Sequence, residues 1–440
     1  MTAIEFPSNA AAPMERSAEA VWPFAKRWTF AFIATFFFLM NWQFPWTSIP
    51  LLRVPVEWVN DAVWGRAVVF VATHILHTTV SLAETGSGDS SADYILVAIC
   101  ISAAVIAAFA FAFIDRSAAH YERISDWFRV FLRFALAGVM IVYGTAKLVP
   151  SQFSAPTLDR LIEPFGAASP MGLLWTFMGA SRAYTILTGA VETIGGLLLA
   201  VRRTTLLGAL ISAGAMANVI ALNFCYDVPV KLFSMQLFLE AIVIASPDLS
   251  RLANLLLINR DAAPRSDRPL FSNRWAARAC SAAGVLFIAA LLVIGLRQSL
   301  ALRRDYGDLA PRSPLRGVWS VDELTDNGVA RPPLTTDLTR WRRFVFDSPR
   351  LAYIQFMSDA RLRYRFELNE KTRTIKLTDW ENPKRILTIA YARPEAGILL
   401  LDTTIDAHKM HAVCRLSDTA TKPLLTTRGF HWISEFPFNR

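Results

Sequence analysis

Cysteine is scarce in this sequence. The 440 residues contain four, Cys100, Cys225, Cys280 and Cys414, widely spaced and without a CxxC pair. That argues against a disulfide-rich scaffold, a zinc ribbon and a dithiol redox centre. Cys100 and Cys280 fall inside apolar runs, where a thiol behaves as a small hydrophobe; a Cys225–Cys414 bridge stays open if both face an oxidising space. Charge is thin as well: only 18% of residues are Asp, Glu, Lys or Arg, against 53% hydrophobic ones. A soluble domain could not cover so much apolar surface. The net charge of +9 is not gathered into one patch, which removes nucleic acid as a partner and leaves the lipid bilayer. There is no internal repeat and no low-complexity tract.

What the chain has instead is a series of apolar runs of roughly 18 to 22 residues, long enough to cross a hydrocarbon layer about 30 Å thick. The first follows Lys26-Arg27 and reads "WTFAFIATFFFLMNWQFPW". It lacks a small-residue cleavage site and is read as a retained helix rather than a leader. Further spans are expected over 94–114, 129–149, 184–201, 204–222, 230–246 and 281–296, seven in all. Arg116, Arg123, Arg129, Arg202, Arg203 and the arginines from Arg251 to Arg278 then share one side with Lys26 and Arg27. By the positive-inside rule that side is cytoplasmic. The segment 66–82, with two histidines and about 15 apolar-rich residues, fits a re-entrant or interfacial helix better than a span.

After Leu296 the pattern changes to period-two alternation, "GVWSVDEL", "WRRFVFD", "LAYIQFM" and "RLRYRFEL" among others, broken by "DNG", "DSP" and "NPK". Roughly eight short strands fit a small closed antiparallel barrel. The expected fold class is therefore an all-α membrane bundle followed by an all-β barrel domain. Its parts are a cytoplasmic tail (1–27), a transmembrane domain (28–258) with an external loop (47–93), a cytoplasmic loop (259–278), a last span (279–298), a linker (299–314) and an extracytoplasmic barrel (315–440). The expected location is a bacterial inner membrane, with the barrel in the periplasm.

Ionisable groups inside a span cost about 2.5 kcal/mol or more at its centre, so each one requires a reason. Lys147, in "VYGTAKLVPSQF", either snorkels to the interface or turns inward on the face it shares with Tyr143. Glu192, mid-span in "YTILTGAVETIGGLLLAV", must be paired or neutral; Lys147 is its expected partner, in a site that binds or protonates a small polar head or in a structural ion pair. Asn218, Asn223, Asp227 and Lys231 are candidates for the same polar cluster. Asp227 reads as the N-cap of the next helix, with Pro229 in its first turn and Lys231 four residues on. Glu240, with Gln236 one turn earlier, is expected to hydrogen-bond across helices.

In the external loop, His74 and His77 at i, i+3 with Asp89 and Asp93 form a candidate carboxylate–imidazole set. Gly86-Ser87-Gly88 offers either an anion-binding nest or an ordinary turn. In the barrel, Phe344, Phe346, Tyr353, Phe356, Tyr364 and Phe366 are inward candidates, whether as a filled core or as a ligand cavity. His408 and His411 belong on opposite faces of one strand, which argues against a joint metal site.

The motifs "YGTAKLVPSQF", "GAVETIGGLLL" and "NFCYDVPVKLFS", together with the loop pieces "THILH" and "TGSGDSSADY", resemble the DoxX-like membrane family, related to the membrane domain of the vitamin K-dependent carboxylase group. The likeness covers about residues 28 to 258. It implies a four-helix core around a buried polar cluster and, by analogy with some relatives, a non-covalently bound quinone and a membrane redox partner protein. The chain has no motif for a covalently held redox cofactor, and many members of that family have no assigned reaction, so whether it is an enzyme stays open. The C-terminal part resembles the lipocalin-like (calycin) barrels through Gly317-Val318-Trp319 and Arg428 in "TTRGFHW", which implies that Arg428 stacks on Trp319 and closes the barrel bottom. Three functions follow as expectations: a quinone- or head-group-binding redox component, a lipid-binding or lipid-transfer protein using the barrel, and a scaffold for a partner complex.

Overall fold

The computed structural model describes residues 22–439 except 45, 49, 84, 115–117, 263–269, 349 and 418–422. Most of the expected N-terminal tail, Arg116 and part of the 259–278 loop lie outside the described residues. The chain divides into two compact units: Met1–Val139 with Gly195–Ile220 and Pro229–Ile288, and Met140–Ile194 with Ala221–Val228 and Ala289–Arg440.

The helices in chain order are α1 (Phe24–Met40), α2 (Pro50–Asn60), α3 (Arg66–Phe70), α4 (Ser91–Ile114), α5 (Ala118–Leu148), α6 (Leu158–Leu161), α7 (Pro170–Ala180), α8 (Arg182–Ala200), α9 (Thr205–Cys225), α10 (Lys231–Ala245), α11 (Leu249–Leu256), α12 (Arg274–Asp305) and α13 (Leu424–Thr427). Six helical stretches among the described residues are long and apolar enough to cross a membrane: Ser91–Phe113, Tyr121–Leu148, Arg182–Ala200, Arg202–Cys225, Lys231–Leu256 and Arg274–Asp305. Helix is the natural form for such runs because lipid offers the backbone no hydrogen-bond partner. Several helices continue past the apolar windows into polar residues, α5 and α12 most of all, at 31 and 32 residues. The first apolar run forms α1, 17 residues long.

In the first unit, α1 carries a ladder of rings at i, i+4. Trp28 stacks on Phe32 and Phe32 on Phe36, with centroids 5.5 and 6.3 Å apart. Trp28 and Phe24 also meet Phe109 and Phe113 of α4. Segment 50–75 is one helical run in which α2 and α3 alternate with π-turns at Asp61–Gly65 and Val71–Ile75. It ends at Ile75, earlier than the segment 66–82 read as helical from sequence, and His77 beyond it has φ +52°.

In the second unit the barrel runs β1 (Gly317–Asp326), β2 (Val329–Ala330), β3 (Trp341–Ser348), β4 (Leu351–Phe356), β5 (Arg361–Asn369), β6 (Thr374–Asp379), β7 (Ile386–Ala392), β8 (Ile398–Ile405) and β9 (His408–Leu416). The strands form an antiparallel meander that closes because β9 returns to pair with β1, Trp319 opposite Leu416 and Asp326 opposite Met410. Eight strands make the wall, and the two-residue β2 only extends a hairpin. Closure removes both sheet edges.

Alternation decides what fills the interior. Trp319, Phe344, Phe346, Ile354, Phe366, Ile375, Leu399 and Leu401 are buried in one cluster, each large side chain worth about 1.5–3 kcal/mol on burial. Ile354 pairs with Phe344, so Tyr353 must face outward. There it packs with Val318, Val345 and Leu158 of α6, which corrects its assignment to the interior.

That outer-wall contact is a clamp. Asp347 accepts a hydrogen bond from the backbone N–H of Leu158 at 3.0 Å, and Arg361 pairs with Glu163 and donates to the Asp159 carbonyl at 3.1 Å. Burial pushes the Asp159 carboxyl above its usual range, against the pull of the Thr157 hydrogen bond and the Arg361 charge. The segment after α5 is therefore held against the outer wall of the barrel.

Candidate functional site

α5 and α8 approach closely in the second unit because each presents a glycine. A Cβ on Gly144 would lie 2.2 Å from Thr193 Oγ1, and one on Gly189 would lie 2.7 Å from the Gly144 carbonyl and from Lys147 Cβ. Small residues at a helix crossing permit this in membranes. About one turn along from each glycine, Lys147 Nζ lies 2.6 Å from both carboxylate oxygens of Glu192. The two side chains are only 8% and 3% exposed. Lys147 thus turns inward rather than snorkelling. Thr145, beside it, packs against Gly295 of α12, and the Lys147 ammonium stands 6.0 Å from the centre of the Tyr143 ring. Asn223 is buried, whereas Asn218 and Asp227 are exposed and Tyr143 is half-exposed. The exposure of Asn218 removes it from the buried cluster.

The start of α10 differs from the expectation for Asp227. The first helical N–H groups, of Lys231 and Leu232, donate to the carboxylate of Asp89 at 2.8 and 2.9 Å, and Lys231 Nζ lies 3.7 Å from the same group. Asp227 sits before the helix at φ +49°. A carboxylate at a helix N-terminus satisfies orphan donors and the dipole together, and here it is supplied from 142 residues away.

The candidate set in the external loop is not assembled. Asp89 is occupied at α10, while Asp93 accepts from the N–H and hydroxyl of Ser90. His74 stacks on Phe70 with ring centres 4.6 Å apart and bonds Thr73, and His77 is off the helix, so the two imidazoles share no helical face. Among the described residues, no three His, Cys, Asp or Glu side chains converge in a metal-ligand arrangement. In the Gly86-Ser87-Gly88 turn, Gly88 N–H bonds the Pro229 carbonyl, Ser87 N–H the Thr85 hydroxyl and Asp89 N–H the Ser87 hydroxyl, so these donors are already used.

A second buried carboxylate lies in the first unit. Glu240 Oε1 accepts from Asn41 Nδ2 at 2.8 Å and from Gln236 Nε2 at 2.9 Å, and the residue is 0% exposed. Asn41, the residue closing α1, escaped notice in the sequence; its only signal was an amide at the end of an aromatic run.

At the barrel bottom, Gly317 has φ +152°, and a Cβ there would lie 2.4 Å from Leu416 Cδ1, so glycine is required. Trp319 is buried and donates from Nε1 to the Leu315 carbonyl at 2.8 Å. The cation over its ring is Arg393, 5.7 Å from the centre, held by bonds to the Pro314 and Ala396 carbonyls. Arg428 instead covers Phe438 at 3.8 Å. The resemblance had assigned this role to Arg428, and the β7–β8 hairpin supplies Arg393 for it. Cys225 and Cys414 are both free thiols, the first exposed and the second buried in the barrel. Burial pushes the Cys414 thiol up to about 12. His408 and His411 each bond a separate carboxylate, Asp326 and Asp402.

The other end of the barrel is open. A cavity of about 770 Å³ is lined by Trp341, Ile354, Phe356, Tyr364, Leu387 and Met410, with Arg331, Arg385, Asp326, Asp406 and His408 also on its wall. Its volume falls within the roughly 300–1,000 Å³ typical of small-molecule sites. The loop over the mouth is pinned by Arg331, whose Nη2 lies 2.6 Å from Asp337 Oδ1. The same carboxylate oxygen caps the N–H groups of Thr339 and Arg340. Asp337 is held below the usual carboxylate range, chiefly by its hydrogen bonds to Arg331.

Fold and site together define a helical membrane protein that carries a closed eight-stranded barrel with one open end. The chain is 34% identical over 123 residues to the uncharacterized protein YwoB of Bacillus subtilis (strain 168), a match covering 28% of this chain and 75% of the relative. It belongs to the family of that protein. No family model and no solved structure matches it.

Proposed function

We propose that this is a membrane-held binding protein whose barrel takes up an apolar-tailed molecule through its open end. The observation that carries this reading is the cavity of about 770 Å³, floored by Trp341, Ile354, Tyr364 and Met410. An apolar floor ringed by Arg331, Arg385, Asp326, Asp406 and His408 suits a short apolar tail with a polar head held at the rim. The arginine asymmetry of the loops supports a cytoplasmic N-terminus and an extracytoplasmic barrel in a bacterial inner membrane. The period-two strands and the Gly317–Trp319 signature support a lipocalin-like barrel. The test uses the full-length protein in detergent, titrated with a fluorescent long-chain fatty acid. Saturable micromolar binding, weakened at least tenfold by Leu387→Trp with the melting temperature unchanged, is the expected result. Wild-type protein that shows no saturable binding would defeat the reading.

A second reading rests on the buried Lys147–Glu192 pair. Within a DoxX-like bundle it places a quinone head beside that pair, in a complex with a membrane redox protein. Lysine and glutamate at such a site exchange protons readily with a reduced ring. Quinone extracted with the wild type and absent from Lys147→Met is its expected outcome; equal quinone content in the two removes it.

A further inference from the structure

At the arginine-rich end of the first unit, the first half of α5, the link between α8 and α9, the turn after α10 and the start of α11 line a cavity of about 370 Å³. Five arginines line it, Arg129, Arg133, Arg202, Arg203 and Arg251, against two aspartates, Asp126 and Asp248. That leaves a surplus of three positive charges on one small concavity, more than an orientation signal needs.

The site is built from held side chains. Arg133 is 8% exposed, and its guanidinium donates to the Leu199 and Ala200 carbonyls at 3.0 and 3.1 Å. It therefore binds the negative end of α8. Asp248, 2% exposed, accepts from Arg129 and Arg251 at 3.3 and 2.6 Å. Even so, Arg129 keeps a buried Nε donor with no hydrogen-bond partner among the described residues. A buried donor left unmade costs about 1–3 kcal/mol, so a cavity holding one beside four further guanidinium groups is suited to an external acceptor.

We propose that this cavity binds a phosphate group, carried by the headgroup of an anionic lipid at the membrane surface. Arginine forks match phosphate oxygens and strengthen in a partly dehydrated site, and basic pockets between membrane helices recognise anionic headgroups in this way. The site lies in a different unit from the barrel cavity, so the two ideas fail independently.

The test uses the full-length protein, delipidated in detergent, and its Arg202→Gln/Arg203→Gln variant. These two side chains are exposed and take no part in the Arg133–carbonyl, Arg129–Asp248 and Arg251–Asp248 contacts described above. Native mass spectrometry counts retained phosphatidylglycerol against phosphatidylcholine, and calorimetry follows inorganic phosphate. Preferential retention of phosphatidylglycerol, reduced at least tenfold in the variant and released by salt, is the expected result. Phosphate binding reduced equally in the variant, without lipid preference, would support the same chemistry with a soluble source. If the wild type binds neither phosphate nor phosphatidylglycerol better than the variant does, the proposal is overturned.

Discussion

Lys147→Met should destabilise the protein far more than the loss of one exposed charge. The ammonium lies 2.6 Å from the Glu192 carboxylate, and at an effective dielectric near 20 the pair attraction is roughly 6 kcal/mol. Dehydration of both groups offsets much of this, so the pair adds little net stability over two apolar residues. Removing one partner is different, because Glu192, 3% exposed, is then left with an uncompensated charge. The expected cost is about 3–5 kcal/mol for Lys147→Met or Glu192→Leu alone. The double replacement Lys147→Met/Glu192→Leu should return to within about 1–2 kcal/mol of the wild type. Unfolding of the purified protein in a titration of denaturing detergent, run as a double-mutant cycle, measures all four states. Single variants that each lose under about 1 kcal/mol, with additive effects, would refute the reasoning. They would place Lys147 at the wet interface despite its geometry.

Two further outcomes follow from contacts outside that pair. Asp337 is held below the ordinary carboxylate range by Arg331, so its contribution is present above the unfolded value near 3.9 and is lost as pH falls through the lower folded value. The hydrogen-exchange protection factors of residues 331–340 should hold down to about pH 4 and fall below it, whereas Asp337→Asn should lower them at every pH. Asp89→Ala removes the carboxylate from the first N–H groups of α10 and should cost about 1–2 kcal/mol, read in the same detergent titration; a loss below about 0.3 kcal/mol would show that water replaces it.

Much of the barrel was readable from the chain because its signals are local. Alternation and the turn residues mark each strand, and only pairing order and closure remain to be found. Of the six inward candidates, Phe344, Phe346, Phe356, Tyr364 and Phe366 face the interior, while Tyr353 was misplaced because nothing local reveals that Leu158 covers the outer wall. In the helical part, Lys147 and Glu192 were conspicuous since a charge in an apolar run has few places to go. Their pairing could be inferred, but Asp89 at the start of α10 could not, being a contact across 142 residues. Arg393 over Trp319 failed for a similar reason. A tail arginine and a hairpin arginine look alike until the strands fix which one reaches the ring.

The clamp between the loop after α5 and the barrel wall limits what the barrel can do. A domain joined to a bundle only through residues 306–316 would turn freely on that stalk and could ferry cargo over a wide arc. Here the stalk is one of two attachments, since Asp347 and Arg361 fasten the wall to residues 158–163. Two points of fixation leave no free swivel. The open end of the barrel therefore keeps one direction relative to residues 158–163.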